Sequence, residues 1–148
     1  MAKTRLPALG AAGWFREEDD GSAALIGGRC TACANISFPA DSFFCRNPAC
    51  SGTAFEPATL SRRGTVWSVT DARYQPPPPY VTPNAEHVPF AIAAVELGAE
   101  QLVVLGQVIG GVAVEDIKVG SSMELVIDVL FEDDEHEYTI WKWRPVDA

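Results

Sequence analysis

Much of the usual equipment of an enzyme is scarce in this sequence. Its 148 residues include two histidines, His87 and His136, and four cysteines. No Gly-x-Ser-x-Gly turn and no glycine-rich phosphate loop followed by lysine occurs, which removes the signatures of α/β-hydrolases and P-loop nucleotide enzymes. Basic residues are also few, 11 against 20 acidic ones, and the net charge of −9 argues against a chain whose main task is gripping nucleic-acid phosphates. No stretch approaches the ~18 consecutive apolar residues of a membrane-spanning helix, and residues 1–10 lack the charged start and apolar run of a secretory signal. A cytoplasmic location and no membrane partner are the expectation. No solenoid-period repeat is visible. What is present is globular: 47% apolar and 21% charged residues, enough for one domain of ordinary size or a modest domain with a small satellite module.

The four cysteines carry the strongest signal. Cys30-Thr31-Ala32-Cys33 and Cys45-Arg46-Asn47-Pro48-Ala49-Cys50 form a C-x2-C and a C-x4-C knuckle separated by eleven residues. Both spacings suit a tetrahedral structural Zn²⁺ site, in which four thiolates close the coordination sphere and leave no position for substrate. Such a metal stabilises a module of about thirty residues that is too small for a core of its own. An iron centre and two disulfides use the same residues, although disulfides rarely persist in a reducing cytosol.

Beyond the cysteines the pattern turns to strands. The segments Gly64 to Thr70, Pro89 to Leu97, Gln101 to Ile109, Met123 to Phe131 and Tyr138 to Trp143 are rich in β-branched and aromatic residues. Gly98-Ala99-Glu100 reads as a hairpin connection, and Val114 to Gly120 as one helical turn ended by glycine. Five short antiparallel strands with one helical turn are the parts of an OB-type barrel, which is preferred here over an open sandwich. The four consecutive prolines, Pro76 to Pro79, flanked by Tyr74 and Tyr80, cannot feed a sheet ladder and mark a loop standing out from the barrel. Before the cysteines, Trp14 to Asp20 reads as a short helix or turn stopped by Gly21. The expected fold is therefore mainly β: an N-terminal helical segment over 1–28, a rubredoxin-like zinc ribbon over 29–56, and a five-stranded OB-fold barrel over 57–148.

Candidate functional residues outside the ribbon are fewer. Between Arg29 and Arg73 five basic residues face three acidic ones, a local +2, so the remainder of the chain carries −11. Arg62-Arg63, with Arg29 and Arg46 in reach, suit the phosphates of one nucleotide-containing ligand, and equally suit a solvated strand start. His136 sits in an acidic turn, and His87 follows the proline loop, where an exposed loop histidine is the plainer explanation. Trp67, Trp141 and Trp143 fall on strand positions, with Trp141 and Trp143 on one face, and suit a core or a subunit interface better than base stacking. A single-stranded nucleic-acid-binding OB module is the rival class, disfavoured because Tyr74 to Ile117 contains no Lys or Arg.

The order of these features resembles one family. A cysteine ribbon is followed by Ser61-Arg62-Arg63-Gly64-Thr65-Val66, a proline-rich loop, and Val88-Pro89-Phe90-Ala91-Ile92-Ala93-Ala94-Val95-Glu96-Leu97. An aromatic pair, Trp14-Phe15, precedes the ribbon, Phe38-Pro39 lies between the knuckles, and Glu115 to Gly120 precedes the fourth strand. Over about 14–145 the chain is similar to the acyl-CoA-associated zinc-ribbon/OB-fold family, formerly a domain of unknown function. The C-x4-C second knuckle and Ala34, where glycine often follows the first knuckle, depart from its usual pattern.

The resemblance implies a non-catalytic accessory subunit in a hetero-oligomer, working beside a thiolase-like or sterol-carrier-like catalytic subunit that makes or breaks carbon–carbon bonds of acyl-CoA thioesters. Thiolase-type acyl transfer, with benzoylsuccinyl-CoA thiolysis as the nearest case, is the first expectation. A retro-aldolase acting on steroid-type acyl-CoA is the alternative. On this reading Cys30, Cys33, Cys45 and Cys50 hold structural Zn²⁺, and Arg29, Arg62 and Arg63 contact the phosphates of CoA or acyl-CoA shared with the partner. Tyr74, Pro77, Pro78, Tyr80 and His87 face the partner or its substrate channel.

Overall fold

A computed structural model describes residues 2–8, 10–84 and 86–146. Ten strands run in chain order: β1 (Thr4–Pro7), β2 (Phe15–Glu17), β3 (Ala23–Cys30), β4 (Ile36–Ser37), β5 (Phe55–Thr59), β6 (Arg63–Ala72), β7 (Phe90–Leu97), β8 (Leu102–Val108), β9 (Ser122–Glu132) and β10 (His136–Pro145). The five strands expected from the sequence are β6 to β10, each within a few residues of its expected bounds. They pair as β6–β7–β8–β10–β9, and β9 returns to β6, so the sheet closes into an OB-like barrel. All pairings in that ring are antiparallel except β8 with β10, where Lys142 faces Gln107 and Trp143 faces Val108 in a parallel register.

Alternation explains the barrel core. Val66, Val95, Leu97, Val104, Val108, Met123, Leu125 and Trp143 point inward and are buried together with Ile117, just past the 3₁₀ turn Val114–Asp116. Trp143 is fully enclosed. The helical turn expected over 114–120 is thus present but shorter, and Gly120, at φ +92°, ends the following segment in a conformation that side chains resist. Between Val66 and Ser68 the β6–β7 register slips, a bulge that turns Trp67 outward.

The N-terminal half corrects the sequence reading. No α-helix occurs among the described residues, and the segment expected to be helical forms β2, paired antiparallel with β3. The physical reason lies in its length and charge. Seven residues between Gly13 and Gly21, both at positive φ, are too few to nucleate a helix, and Glu17-Glu18-Asp19-Asp20 have no basic residue four positions on to pair with. In a strand, Phe15 instead turns toward the interior while Arg16 and Glu17 face solvent. The sequence also gave no warning of β1, which adds in parallel to β10.

β3 organises the ribbon. It pairs with β2, β4 and β5, and the run Ala-Ala-Leu-Ile-Gly-Gly is buried at five of six positions. Gly27 lets the chain cross at close range, since a Cβ there would stand 2.6 Å from the Ser37 carbonyl oxygen. Ala23, Leu25 and Leu60 join the barrel residues in one continuous core. An aromatic cluster seals the same junction: Trp141 of β10 lies 5.5 Å from Phe38, 6.1 Å from Trp14 and 6.3 Å from Phe15, centroid to centroid. Trp141 also donates its indole N–H to the Leu105 carbonyl at 2.9 Å.

Candidate functional site

The fold brings the four cysteines together from separate places. Cys30 ends β3, Cys33 closes the tight turn after it, and Cys45 and Cys50 lie in the loop leading to β5. All four Sγ atoms stand within 4.8 Å of one another, with Cys30 to Cys50 at 3.8 Å and Cys33 to Cys45 at 3.6 Å. None of the four is in a disulfide. Four sulfurs at about 2.3 Å from a central Zn²⁺ form a tetrahedron with edges of about 3.8 Å, so the cluster has the size and donor chemistry of a four-thiolate metal centre. Cys30 and Cys45 are buried and Cys33 is exposed, as expected for a surface knuckle.

Backbone amides are aimed at the sulfurs. The Asn47 N–H donates to Cys45 Sγ at 3.4 Å and the Gly52 N–H to Cys50 Sγ at 3.3 Å. The Asn35 backbone N–H, helped by the Asn47 side chain and neighbouring thiols, holds the Cys33 thiol down at about 7. At Cys45 the Asn47 N–H favours the thiolate, but desolvation and the adjacent sulfurs outweigh it and push the group up to about 12. Four packed thiols therefore do not all ionise unless a cation sits among them. Gly52 is a further functional position that sequence reasoning missed. A Cβ there would meet Cys30 Sγ at 2.7 Å and Cys50 Sγ at 3.3 Å, so only glycine lets the backbone close over the cage. The signal was available only as a glycine two residues past the last cysteine.

Ala34 adopts φ +66°, the left-handed conformation that glycine takes without strain, while its N–H donates to the Cys30 carbonyl at 2.9 Å. The departure noted in the sequence is thus a departure of residue type and not of backbone. Ala34→Gly is expected to relieve about 0.5–1 kcal/mol and raise the melting temperature by about 2–4 °C, read by differential scanning calorimetry. A lower melting temperature would show that the left-handed alanine carries no strain.

The arginines do not converge. Arg29 lies 3.7 Å from Glu56, Arg46 bonds Asp41 at 2.7 Å, and Arg63 lies 3.4 Å from Glu124, which Arg144 also pairs. Arg62, exposed between β5 and β6, is the one of the three phosphate candidates with no carboxylate within 4.0 Å among the described residues. Its carbonyl accepts the Leu125 N–H at 2.7 Å, and the preceding Ser61 donates its N–H and hydroxyl to Glu100 at 2.7 and 2.8 Å.

The proline loop, as expected, stays outside the sheet. Tyr74 is well exposed, whereas Tyr80 stacks on Phe90 at 6.2 Å and His87 meets the same ring at 5.9 Å. His87 Nε2 lies 2.8 Å from the Ala72 carbonyl oxygen, so it carries the proton and donates to it. Tyr80, His87, Phe90, Gln107, Leu130 and Lys142 line a cavity of about 230 Å³ between loop and barrel, whose wall does not include Tyr74, Pro77 or Pro78. His136 Nδ1 faces Asp133 at 3.6 Å in the β9–β10 turn. Among the described residues neither histidine meets a serine or cysteine nucleophile.

Comparison with known proteins adds to this geometry. Residues 58–128 match the family described as ChsH2, C-terminal OB-fold domain. A chain of the solved Ltp2-ChsH2(DUF35) aldolase is similar in sequence and structure: 28% identity, a TM-score of 0.60, covering 82% of this chain and 84% of that one. No curated protein matches the sequence. No helix among the described residues is long and apolar enough to cross a membrane.

Proposed function

We propose, from the match of residues 58–128 to the family described as ChsH2, C-terminal OB-fold domain, that the chain is the zinc-ribbon-bearing accessory subunit of an aldolase-type complex cleaving carbon–carbon bonds in acyl-CoA thioesters. The observation that carries the reading is the likeness to a chain of the Ltp2-ChsH2 aldolase, which spans most of this chain and so reaches beyond the barrel. Zn²⁺ held by Cys30, Cys33, Cys45 and Cys50 supplies rigidity to the ribbon, and its closed thiolate sphere takes no part in the reaction. In a retro-aldol cleavage a base takes the β-hydroxyl proton and the Cα–Cβ bond breaks. A carbonyl compound leaves, and the electron pair stays on the thioester enolate until it is protonated to a shorter acyl-CoA. The catalytic partner owns the base. This chain holds and shields the substrate: Arg62 takes a CoA phosphate, and Tyr80 and His87, fixed by Phe90 and Ala72, frame the acyl end of the channel.

The thiolase-type reading ranks second, because the similar solved assembly is an aldolase. The two are separated by their use of free CoA. With a β-hydroxyacyl-CoA and an Ltp2-type chain, the complex is expected to release a carbonyl product and a shorter acyl-CoA without consuming CoA. Stoichiometric loss of free CoA from a β-ketoacyl-CoA would replace aldol cleavage by thiolysis. Equal rates from the partner alone would reject the accessory role.

Arg62→Ala is expected to raise the Kd of the complex for CoA about tenfold, the equivalent of one charge-assisted hydrogen bond, while Arg63→Ala changes it little because Arg63 is already engaged by Glu124. Isothermal titration calorimetry reads both, and an unchanged Kd for Arg62→Ala removes that residue from the CoA site.

A further inference from the structure

The outer face of β6, β7 and β8 has an unusual composition. The register aligns Thr65 with Glu96 and Val103, Ser68 with Ala94 and Leu105, and Thr70 with Ile92 and Gln107. The bulge sets Trp67 beside Ser68, so the small Ala94 lies between two large apolar side chains that are both more than 60% exposed, Trp67 at 62% and Leu105 at 63%. Val103 adds to the same face, and Glu96 is the single charge among these residues. The departure from a solvated strand face lies at Trp67, Val103 and Leu105, which stand exposed among the polar Thr65, Ser68, Thr70 and Glu96.

Ground of mixed character joins this face to a second exposed apolar pair on the ribbon. A groove lined by Ile36, Arg46, Asn47 and Pro48 on the ribbon and by Gln101 and Leu102 on the barrel leads to the start of β8. Arg46 also borders the recess containing Phe43 and Phe44, which are 80% and 71% exposed. We infer that this path, from Phe43 and Phe44 past the second knuckle to Trp67 and Leu105, is the surface on which the catalytic subunit docks.

Charge, area and topology select that occupant. Among the described residues named on the path Arg46 is the cation, and it is already bound to Asp41, so a polyanion finds little to hold it. The three barrel rows cover about 200 Å², from strands about 4.8 Å apart and residues about 3.3 Å apart, far below the ~800 Å² that each partner of a stable complex buries. A lasting contact must therefore extend over the ribbon as well. Two copies of this chain would bring together two molecules of net charge −9. β7, at the centre of the face, is paired along its length with β6 and β8, whereas β6 pairs with β9 only over 63–65 and β8 with β10 only over 107–108, so the exposed side chains and not the β7 backbone offer the contact. What fits is a different folded protein with a matching apolar surface, and the aromatic residues are its anchors.

This inference rests on the accessory-subunit reading, and the test separates the two. The probe is an Ltp2-type aldolase chain titrated against the full-length protein by calorimetry. Trp67→Ser with Leu105→Ser is expected to raise the Kd at least 100-fold with melting temperature and zinc content unchanged. Phe43→Ser with Phe44→Ser is expected to raise it at least tenfold. Hydrogen exchange on the wild-type complex, which needs no variant to fold, is expected to slow within 63–72 and 102–108. Wild-type binding with unaltered Kd in both variants, or protection elsewhere only, overturns the docking face and leaves the accessory role standing. No binding by the wild type overturns both. Concentration-dependent dimerisation that Trp67→Ser abolishes, or tight binding of a dT oligonucleotide, gives the face to another occupant.

Discussion

Cys30→Ser is expected to remove most of the bound zinc, from one ion per chain to less than about a tenth, and to lower the melting temperature by about 10 °C. Cys30 joins two parts of the structure. Its sulfur sits 3.8 Å from that of Cys50 and against the Gly52 backbone, while its own strand, β3, runs on into the core through Leu25 and Ala23. A serine hydroxyl is a poorer ligand for Zn²⁺, and the three remaining thiolates bind it with an open position. The ribbon then loses the constraint that a module of its size requires. Acid has the same effect on the native chain. Metal binding displaces protons from the thiols, so affinity falls as pH falls, and below about 7 the Cys33 thiol is protonated as well. Zinc measured by atomic emission across pH 5 to 8 should decline toward the acid end. Full zinc content and an unmoved melting temperature in Cys30→Ser would rule out a four-thiolate centre.

Trp143→Ala should cost about 3–5 kcal/mol, the range for truncating a large buried aromatic, and lower the melting temperature by roughly 10 °C. Trp143 is fully enclosed, and a Cβ on Gly106 would stand 2.8 Å from its ring. That fit of an indole over a glycine is where β10 and β8 meet in the short parallel pairing that completes the barrel. The indole N–H has no protein hydrogen-bond partner among the described residues. Trp143→Phe gives up ring volume but also removes a buried unpaired donor, and is therefore expected to cost far less than Trp143→Ala. Chemical denaturation of the two variants reads the difference. Equal losses would mean that the N–H is satisfied by ordered water and that the ring volume alone matters.

The legible parts of this protein were those written in local pattern. The C-x2-C and C-x4-C spacings placed four ligands within one turn and one loop, and the sulfurs do meet. Alternating β-branched residues placed β6 to β10, because each strand had to bury one face. The helical expectation at Trp14 to Asp20 failed because so short a segment takes its state from its neighbours, and β3 was there to pair with it. β1 was invisible for the same reason: four exposed residues, Thr4 to Pro7, become a strand only through hydrogen bonds to β10, more than 130 residues away.

The candidate site divides in the same way. Sequence singled out the arginines, the proline loop and the cysteines as candidates by residue type. Tertiary structure separated Arg29 and Arg63 onto carboxylates that sequence distance hid, gathered Tyr80 and His87 onto Phe90 while leaving Tyr74 outside, and set Gly52 against the sulfur cage. By itself the sequence determined the four-cysteine cluster and the barrel, since knuckle spacing and burial periodicity are properties of neighbouring residues. Which side chains share a surface, which charges are already matched, and which apolar residues remain uncovered were decided by the tertiary structure, because each depends on pairing between strands far apart in the chain.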